Sequence, residues 1–253
     1  MTIGSVPYLN ASPLVAWFRT QVGRKSGIEV VSGVPSRLAQ MLRNGDVACA
    51  LVSSIELFRH PEWQVVSDIA IASTGRVLSV RLFSRVPLER VQSVALDTSS
   101  LTSSALVQVL FAHWWQAQPE YIPCLPELDL MLKQADAGLL IGDRGMLTRS
   151  VGLVVADLGE EWYRWTGLPF VWALWLGPVE RLTPHLTDAL LRARDWGLEH
   201  IDEVIDAEVE RLGLDEALAR QYLCEVMQYR LTPAHEEALA RFGGECRRLG
   251  LVL

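Results

Sequence analysis

The chain has 253 residues, 50% of them hydrophobic, with only 12 Pro and 18 Gly. That composition excludes a disordered or low-complexity protein and leaves room for one large domain or two lobes. Twenty-three Lys and Arg against 30 Asp and Glu give a net charge of −7, the wrong sign for a general nucleic-acid binder, which needs a basic face to displace counterions. Cys49, Cys124, Cys224 and Cys246 are far apart and form no CxxC pair. No metal site is expected from them, and few scattered thiols suit a reducing cytosol.

In chain order, Ile3–Tyr8 reads as a strand, and Ser12-Pro13 opens a helix, since Pro fits a first helical turn. Ile28–Val31 is a second strand. Pro35 starts a helix carrying Leu38, Met41 and Leu42 on one face, and Gly45 ends it. Val47–Ser53 is almost wholly apolar, as strands buried on both faces are. This β-α-β-α-β order predicts a doubly wound α/β sheet. Strands near Val65–Ala72 and Val77–Ser84 follow. After Pro87 the pattern restarts, with strands at Val91–Asp97, Tyr121–Pro123, Ala137–Ile141 and Val151–Asp157, a helix over about 102–116, and a last apolar strand over Pro169–Leu176. From Thr183 three helices are expected, Pro184–Leu212, Asp215–Gln228 and Pro233–Leu249, with Gly243-Gly244 as an interruption in the last and no strand among them.

One arrangement accounts for this order. Residues 1–87 with 173–253 form one lobe, α/β with a helical C-terminus. Residues 88–172 form a second α/β lobe. A ligand cleft is expected between them, at the carboxyl ends of strands. The N-terminal MTIGSVPYLN has neither a basic n-region nor an apolar h-region, and no apolar run is long enough to span a bilayer. A cytoplasmic protein with no membrane and no nucleic-acid partner is expected. Tryptophan in the C-terminal helices offers either core packing or a homodimer face.

Four polar clusters follow strands. Asn10 and Ser12 stand between the first strand and its helix, where both capping and ligand contact are open. Ser53 and Ser54 stand at the end of VACALV, and Glu56 is read as a helix-start acid. Thr74, Gly75, Arg76 and Ser79 form the third cluster. There a Gly lets a ligand approach the backbone, and an Arg can pair with a carboxylate or sit solvated on a hairpin. The fourth runs from Asp97 to Ser104, with Ser100, Thr102 and Ser103 among its six hydroxyls. One hydroxyl caps a helix; six exceed capping, which favours an anion site. Asp143 ends LLIGD and either caps a helix or faces the ligand. The five His lie away from strand ends, and there is no GxSxG or HExxH, so triad or His-based catalysis has little support.

Taken in order, SVPYLNASPL, GVPSRLAQMLRNGDVACALVSSIE, STGRVLSV, VALDTSSLTSSALVQVL, LLIGD and DLGEEWYRWTGLPFVWALW resemble the chorismate dehydratases of the futalosine route to menaquinone, over about residues 3–176. The resemblance implies a two-lobed periplasmic-binding-protein type II fold with C-terminal helices. It also implies a hydro-lyase that converts the dianion chorismate into 3-[(1-carboxyvinyl)oxy]benzoate without a cofactor or metal. By motif, Asn10 meets the reacting edge as the catalytic residue, and Ser53, Gly75, Ser79, Thr102 and Ser103 line the cleft and hold carboxylates. The lack of a strand-end His fits proton removal by the substrate's own enolpyruvyl carboxylate, with Asp143 as the protein-borne alternative. Two positions depart from the expected pattern: Leu101 stands where many relatives carry a basic residue, and Arg76 where a small residue or Pro is expected. Competing readings are a 1,4-dihydroxy-6-naphthoate synthase-like enzyme and a non-catalytic small-anion-binding protein of the same fold.

Overall fold

The computed structural model describes residues 1–252, the Ser67 side chain excepted. Eleven strands are present among them: β1 Thr2–Ser5, β2 Glu29–Ser32, β3 Ala50–Ser53, β4 Trp63–Ser73, β5 Arg81–Ser84, β6 Ser93–Asp97, β7 Glu120–Cys124, β8 Ala137–Leu140, β9 Val154–Asp157, β10 Phe170–Pro178 and β11 Met227–Gln228. The chain divides into two compact units. The first comprises Met1–Ala72 and Val171–Thr232, the second Ser73–Phe170 and the stretch from Pro233 onward.

The first unit is built on a six-stranded sheet of order β11-β4-β10-β3-β1-β2. β1 runs parallel to β2 and β3, whereas β10 is antiparallel to β3. The sheet is therefore mixed, with β10 running against the parallel β1, β2 and β3. β3 is buried at all four positions, as a central strand covered on both faces must be. Helix Pro35–Asn44 starts on its proline and turns Leu38, Ala39 and Leu42 inward, at helical spacing.

The second unit is built on a five-stranded sheet of order β7-β6-β8-β5-β9. β6 is parallel to β7 and β8, and β5 runs antiparallel to both β8 and β9. Phe83, Ala95, Met131 and Leu140 pack in its core. Trp162, Phe170 and Phe242 form an aromatic cluster with centroids 5.0–6.2 Å apart and steep interplanar angles, the edge-to-face geometry that ring quadrupoles favour.

The division of the chain differs from the expected one in two respects. β5 pairs into the second sheet, so the first boundary falls at 72/73 rather than 87/88, and the return at 170/171. The last helix, Pro233–Arg248, belongs to the second unit, where Phe242 joins Trp162 and Phe170. Gly243-Gly244 leaves that helix unbroken. The expected helix over 184–212 is two, Pro184–Glu199 and Ile201–Leu212, parted at His200. The expected helix over 215–228 is the short Glu216–Arg220, a π-helical turn over Gln221–Val226, and then β11. The wider turn delivers Met227–Gln228 to the sheet edge, where the Ala70 N–H bonds the Tyr229 carbonyl at 3.3 Å. Trp196 stacks on His200 with centroids 4.3 Å apart.

Candidate active site

In the first unit, β1 ends at Ser5, and a 3₁₀ turn over Leu9–Ala11 carries Asn10 into the short helix Ser12–Val15. Neither element has a side-chain cap, so Asn10 is not spent on capping. Its Nδ2 instead donates to the Tyr222 hydroxyl at 3.2 Å. Tyr222 is buried and stands in the π-helical turn, a local widening found frequently at functional sites. The other amide atom, Oδ1, is buried with no hydrogen-bond partner. An orphaned buried acceptor costs on the order of 1–3 kcal/mol, so its retention in a native fold calls for a reason. The buried Tyr229 hydroxyl likewise has no partner. Burial, and then the neighbouring Tyr222, push its phenol upward.

Ser53 and Ser54 end β3 on opposite terms. Ser53 is the last strand residue. The Ser54 hydroxyl donates to the Val171 carbonyl at 2.7 Å, and its N–H to the Trp172 carbonyl at 3.1 Å, which ties the turn to β10. Glu56 is more than a helix-start acid. It is 1% exposed and met by Arg43 at 3.2 Å, Arg59 at 3.0 Å and His60 at 3.6 Å. The parallel register of β1 with β3, and Ser53 opposite Ala173, put the exits toward Asn10 and Ser54 at one end of this sheet.

In the second unit, the expected strand over 77–84 begins only at Arg81. Val77 and Leu78 form a turn instead, because their N–H groups are taken by the Asp157 carboxylate: Val77 at 3.0 and 3.1 Å, Leu78 at 2.7 Å. Gly75 has φ +74° with open space where a Cβ would stand, and Leu78 has φ +64°. Ser79 is buried. Arg76 is 66% exposed, its nearest carboxylate being Glu160 at 4.0 Å. Arg81 sends Nε to the Gly145 carbonyl at 2.6 Å and Nη2 to the Met146 and Thr148 carbonyls at 2.9 Å each; burial lowers its pKa.

The serine-rich turn follows β6. The Ser99 N–H and Oγ both donate to Asp97 Oδ1, at 2.8 and 2.7 Å. Helix Thr102–His113 then starts from Leu101 with no side-chain cap, so the cluster's hydroxyls are not consumed in that role. Ser100, Thr102 and Ser103 are buried, and Ser104 Oγ is buried without a partner. Asp143 lies in the first turn of helix Gly142–Leu147, which also has no side-chain cap. It lines an open cavity with Pro126, Glu127 and Arg144.

Register places these pieces together. Arg81 lies opposite both Leu140 and Asp157, and Leu96 beside Leu139. The Ser79 turn, the Asp143 helix, Asp157 and the Ser99–Ser103 turn therefore all stand at one end of the second sheet, the carboxyl end of its parallel strands, where open α/β sheets bind ligands. The first unit's cavity of about 390 Å³, lined by Ser5, Tyr8, Ser12, Arg19, Arg24 and Arg211 among others, includes neither Asn10 nor Ser53. Among the described residues no group of three or more His, Cys, Asp or Glu could hold a metal ion, and no helix is long and apolar enough to cross a membrane.

Sequence reasoning passed over Asp157 and Tyr222. The first had a local signal: Asp157 followed by Glu160 is a helix-start pattern, and Asp157 does cap, taking the Gly159 and Glu160 N–H groups at 3.0 and 3.1 Å. Tyr222 had none, since its partner lies 212 residues away.

The two mixed sheets with loops at their carboxyl ends have a periplasmic-binding-protein-like fold. An Archaeoglobus fulgidus protein superposes with TM-score 0.78 at 18% identity, covering 99% of this chain and 98% of that one. The periplasmic aliphatic sulphonate binding protein of Escherichia coli gives 0.67 at 14%, covering 100% and 88%. The menaquinone biosynthesis family model matches residues 1–248. A chorismate dehydratase of Thermus thermophilus is 35% identical over 240 residues, 87% of this chain and 86% of the relative, and one of Campylobacter jejuni is 26% identical over the whole of both chains. The chain belongs to the chorismate dehydratase family of menaquinone biosynthesis.

Proposed function

We propose that this chain is a hydro-lyase that dehydrates chorismate to 3-[(1-carboxyvinyl)oxy]benzoate, with Asn10 at the reacting edge. The observation that carries the site assignment is the buried, unpartnered Oδ1 of Asn10, whose amide is already oriented by Tyr222. In the reaction the C–H bond at the ether-bearing ring carbon and the C–O bond at its neighbour break, and the proton and hydroxyl leave as water. The step is redox-neutral and gains aromaticity, so the protein's work is positioning, water exclusion and charge placement. On this reading the substrate's enolpyruvyl carboxylate takes the proton. By the family motifs, Ser53, Gly75, Ser79, Thr102 and Ser103 are the residues that hold carboxylates of the dianion. The uncapped start of helix Thr102–His113, with the unpartnered Ser104 hydroxyl beside it, supports a carboxylate there, because helix N-termini attract anions. Ser54 is left to structure, its hydroxyl being committed to Val171. A biosynthetic step on a small polar dianion suits the cytoplasm.

Purified protein is mixed with chorismate and the products are followed by mass and ultraviolet absorption. Loss of one water with an aromatic spectrum is expected. Binding without turnover would return the non-catalytic reading, and no binding would turn attention to the naphthoate-synthase substrate.

A further inference from the structure

Asp157 makes more bonds than a helix cap requires. Its carboxylate, 6% exposed, takes the Gly159 and Glu160 N–H groups as an ordinary cap does. It also takes Val77 and Leu78, some eighty residues earlier in the chain. Those bonds brace a turn that also carries its own bond, from the Ser79 N–H to the Val77 carbonyl at 2.8 Å. Leu78 sits at φ +64°, a region disfavoured for a residue with a Cβ that persists only where the surroundings over-determine it.

The surroundings do so. A Cβ on Gly159 would lie 2.5 Å from the Gly75 carbonyl oxygen, and one on Gly145 would lie 2.2 Å from that of Ser79. Both ends of the turn are thus pressed against glycine backbone, and Arg81 binds the Gly145 segment back onto the adjoining strand. A solvated hairpin has no use for a buried carboxylate and two glycine contacts. A turn that must present Gly75 and Ser79 in one geometry does. We infer that Asp157 is a positioning residue that sets the Gly75–Ser79 turn in its substrate-binding conformation without touching substrate itself. The inference rests on the proposed dehydratase reading.

The test uses Asp157→Ser and Asp157→Asn, with Leu78→Gly added to each. Serine still caps a helix but is too short to reach Val77 and Leu78; asparagine turns an amide donor toward one of the same N–H groups. Each single variant is expected to lose kcat/KM for chorismate on the order of 10- to 100-fold while keeping the far-ultraviolet circular dichroism of the parent. Leu78→Gly is expected to return several-fold of that loss, since glycine takes the left-handed conformation without help. Parent-like kcat/KM in folded Asp157→Ser overturns the inference alone. So does a Leu78→Gly addition that raises the melting temperature but recovers no kcat/KM, the behaviour of a purely structural residue. If the parent protein itself does not turn over chorismate, the dehydratase reading falls and takes the inference with it.

Discussion

Asn10 Nδ2 donates to the hydroxyl of Tyr222 across 3.2 Å, joining the first α/β turn of the chain to a π-helical turn 212 residues later. The bond fixes which way the amide faces and leaves Oδ1 as the buried atom with no partner. A Tyr222→Phe variant keeps the ring and removes the hydroxyl that accepts from Nδ2. Its kcat is expected to drop about tenfold or more with little change in KM, because orientation at the reacting edge is lost while the carboxylate contacts remain. Asn10→Ala is expected to abolish turnover with the thermal transition retained. Full activity in either variant would remove that residue from the mechanism.

Ser53 and Ser54, adjacent in sequence, are expected to separate cleanly. Ser54→Ala strips the 2.7 Å bond to the Val171 carbonyl and should cost about 1 kcal/mol, a fall of roughly 2–4 °C in melting temperature, with kcat/KM near the parent value. Ser53→Ala should do the reverse, raising KM with stability little altered. Steady-state kinetics and thermal unfolding on the same two variants decide the assignment.

Gly197 in helix Pro184–Glu199 lies against the Pro13 backbone: a Cβ there would stand 1.8 Å from the Pro13 carbonyl oxygen. Gly197→Ala must push the Ser12–Val15 helix away, at a cost of about 1–3 kcal/mol or more. Pro13 is three residues from Asn10, so activity is expected to fall at temperatures where the variant is still folded. Thermal unfolding with kinetics well below the transition separates the two effects.

Burial raises the Asp157 pKa above the ordinary carboxylate range, opposed by its backbone N–H bonds and by Arg76. Arg81 also interacts with it electrostatically, whereas Glu160 meets it through its backbone N–H. Because the folded state holds this proton more tightly than the unfolded chain does, the group's contribution to stability grows, not shrinks, as pH falls from the folded value toward the unfolded one. Protonation nonetheless replaces an acceptor of the Leu78 N–H with a hydroxyl. The expected outcome is an acid limb in kcat/KM above the pH at which an exposed Asp titrates, with no matching fall in melting temperature from this residue. Asp157→Asn should lack that limb. A limb unchanged in the variant would assign it elsewhere.

Much of the fold could be read from local pattern. VACALV announced a strand buried on both faces, Pro35 and Gly45 bracketed their helix, and strand-helix alternation predicted two α/β units. What misled was non-local. Val77–Val80 has strand composition, yet the Val77 and Leu78 N–H groups go to a carboxylate some eighty residues away. Met227–Gln228 lies in a helical pattern, yet the π-helical turn turns it to the sheet edge. The hydroxyl-rich turn after Asp97 and the Asn10 turn were visible as motifs because polar residues after apolar strands are conspicuous. Tyr222 was not, since nothing near it in the sequence marks a partner. Capping, a local rule, was the plausible alternative for Asn10 and Asp143, and at both helix starts no side chain caps.

Phe242, on the final helix, closes the aromatic cluster with Trp162 and Phe170. During synthesis the other two rings leave the ribosome well before their cover does. A nascent chain that has not yet delivered Pro233–Arg248 therefore carries a bare indole and phenyl face, and the second unit cannot finish folding until that helix has emerged. A translation pause just before that helix would lengthen the exposure and make the growing chain a client for chaperones at a defined point in its emergence.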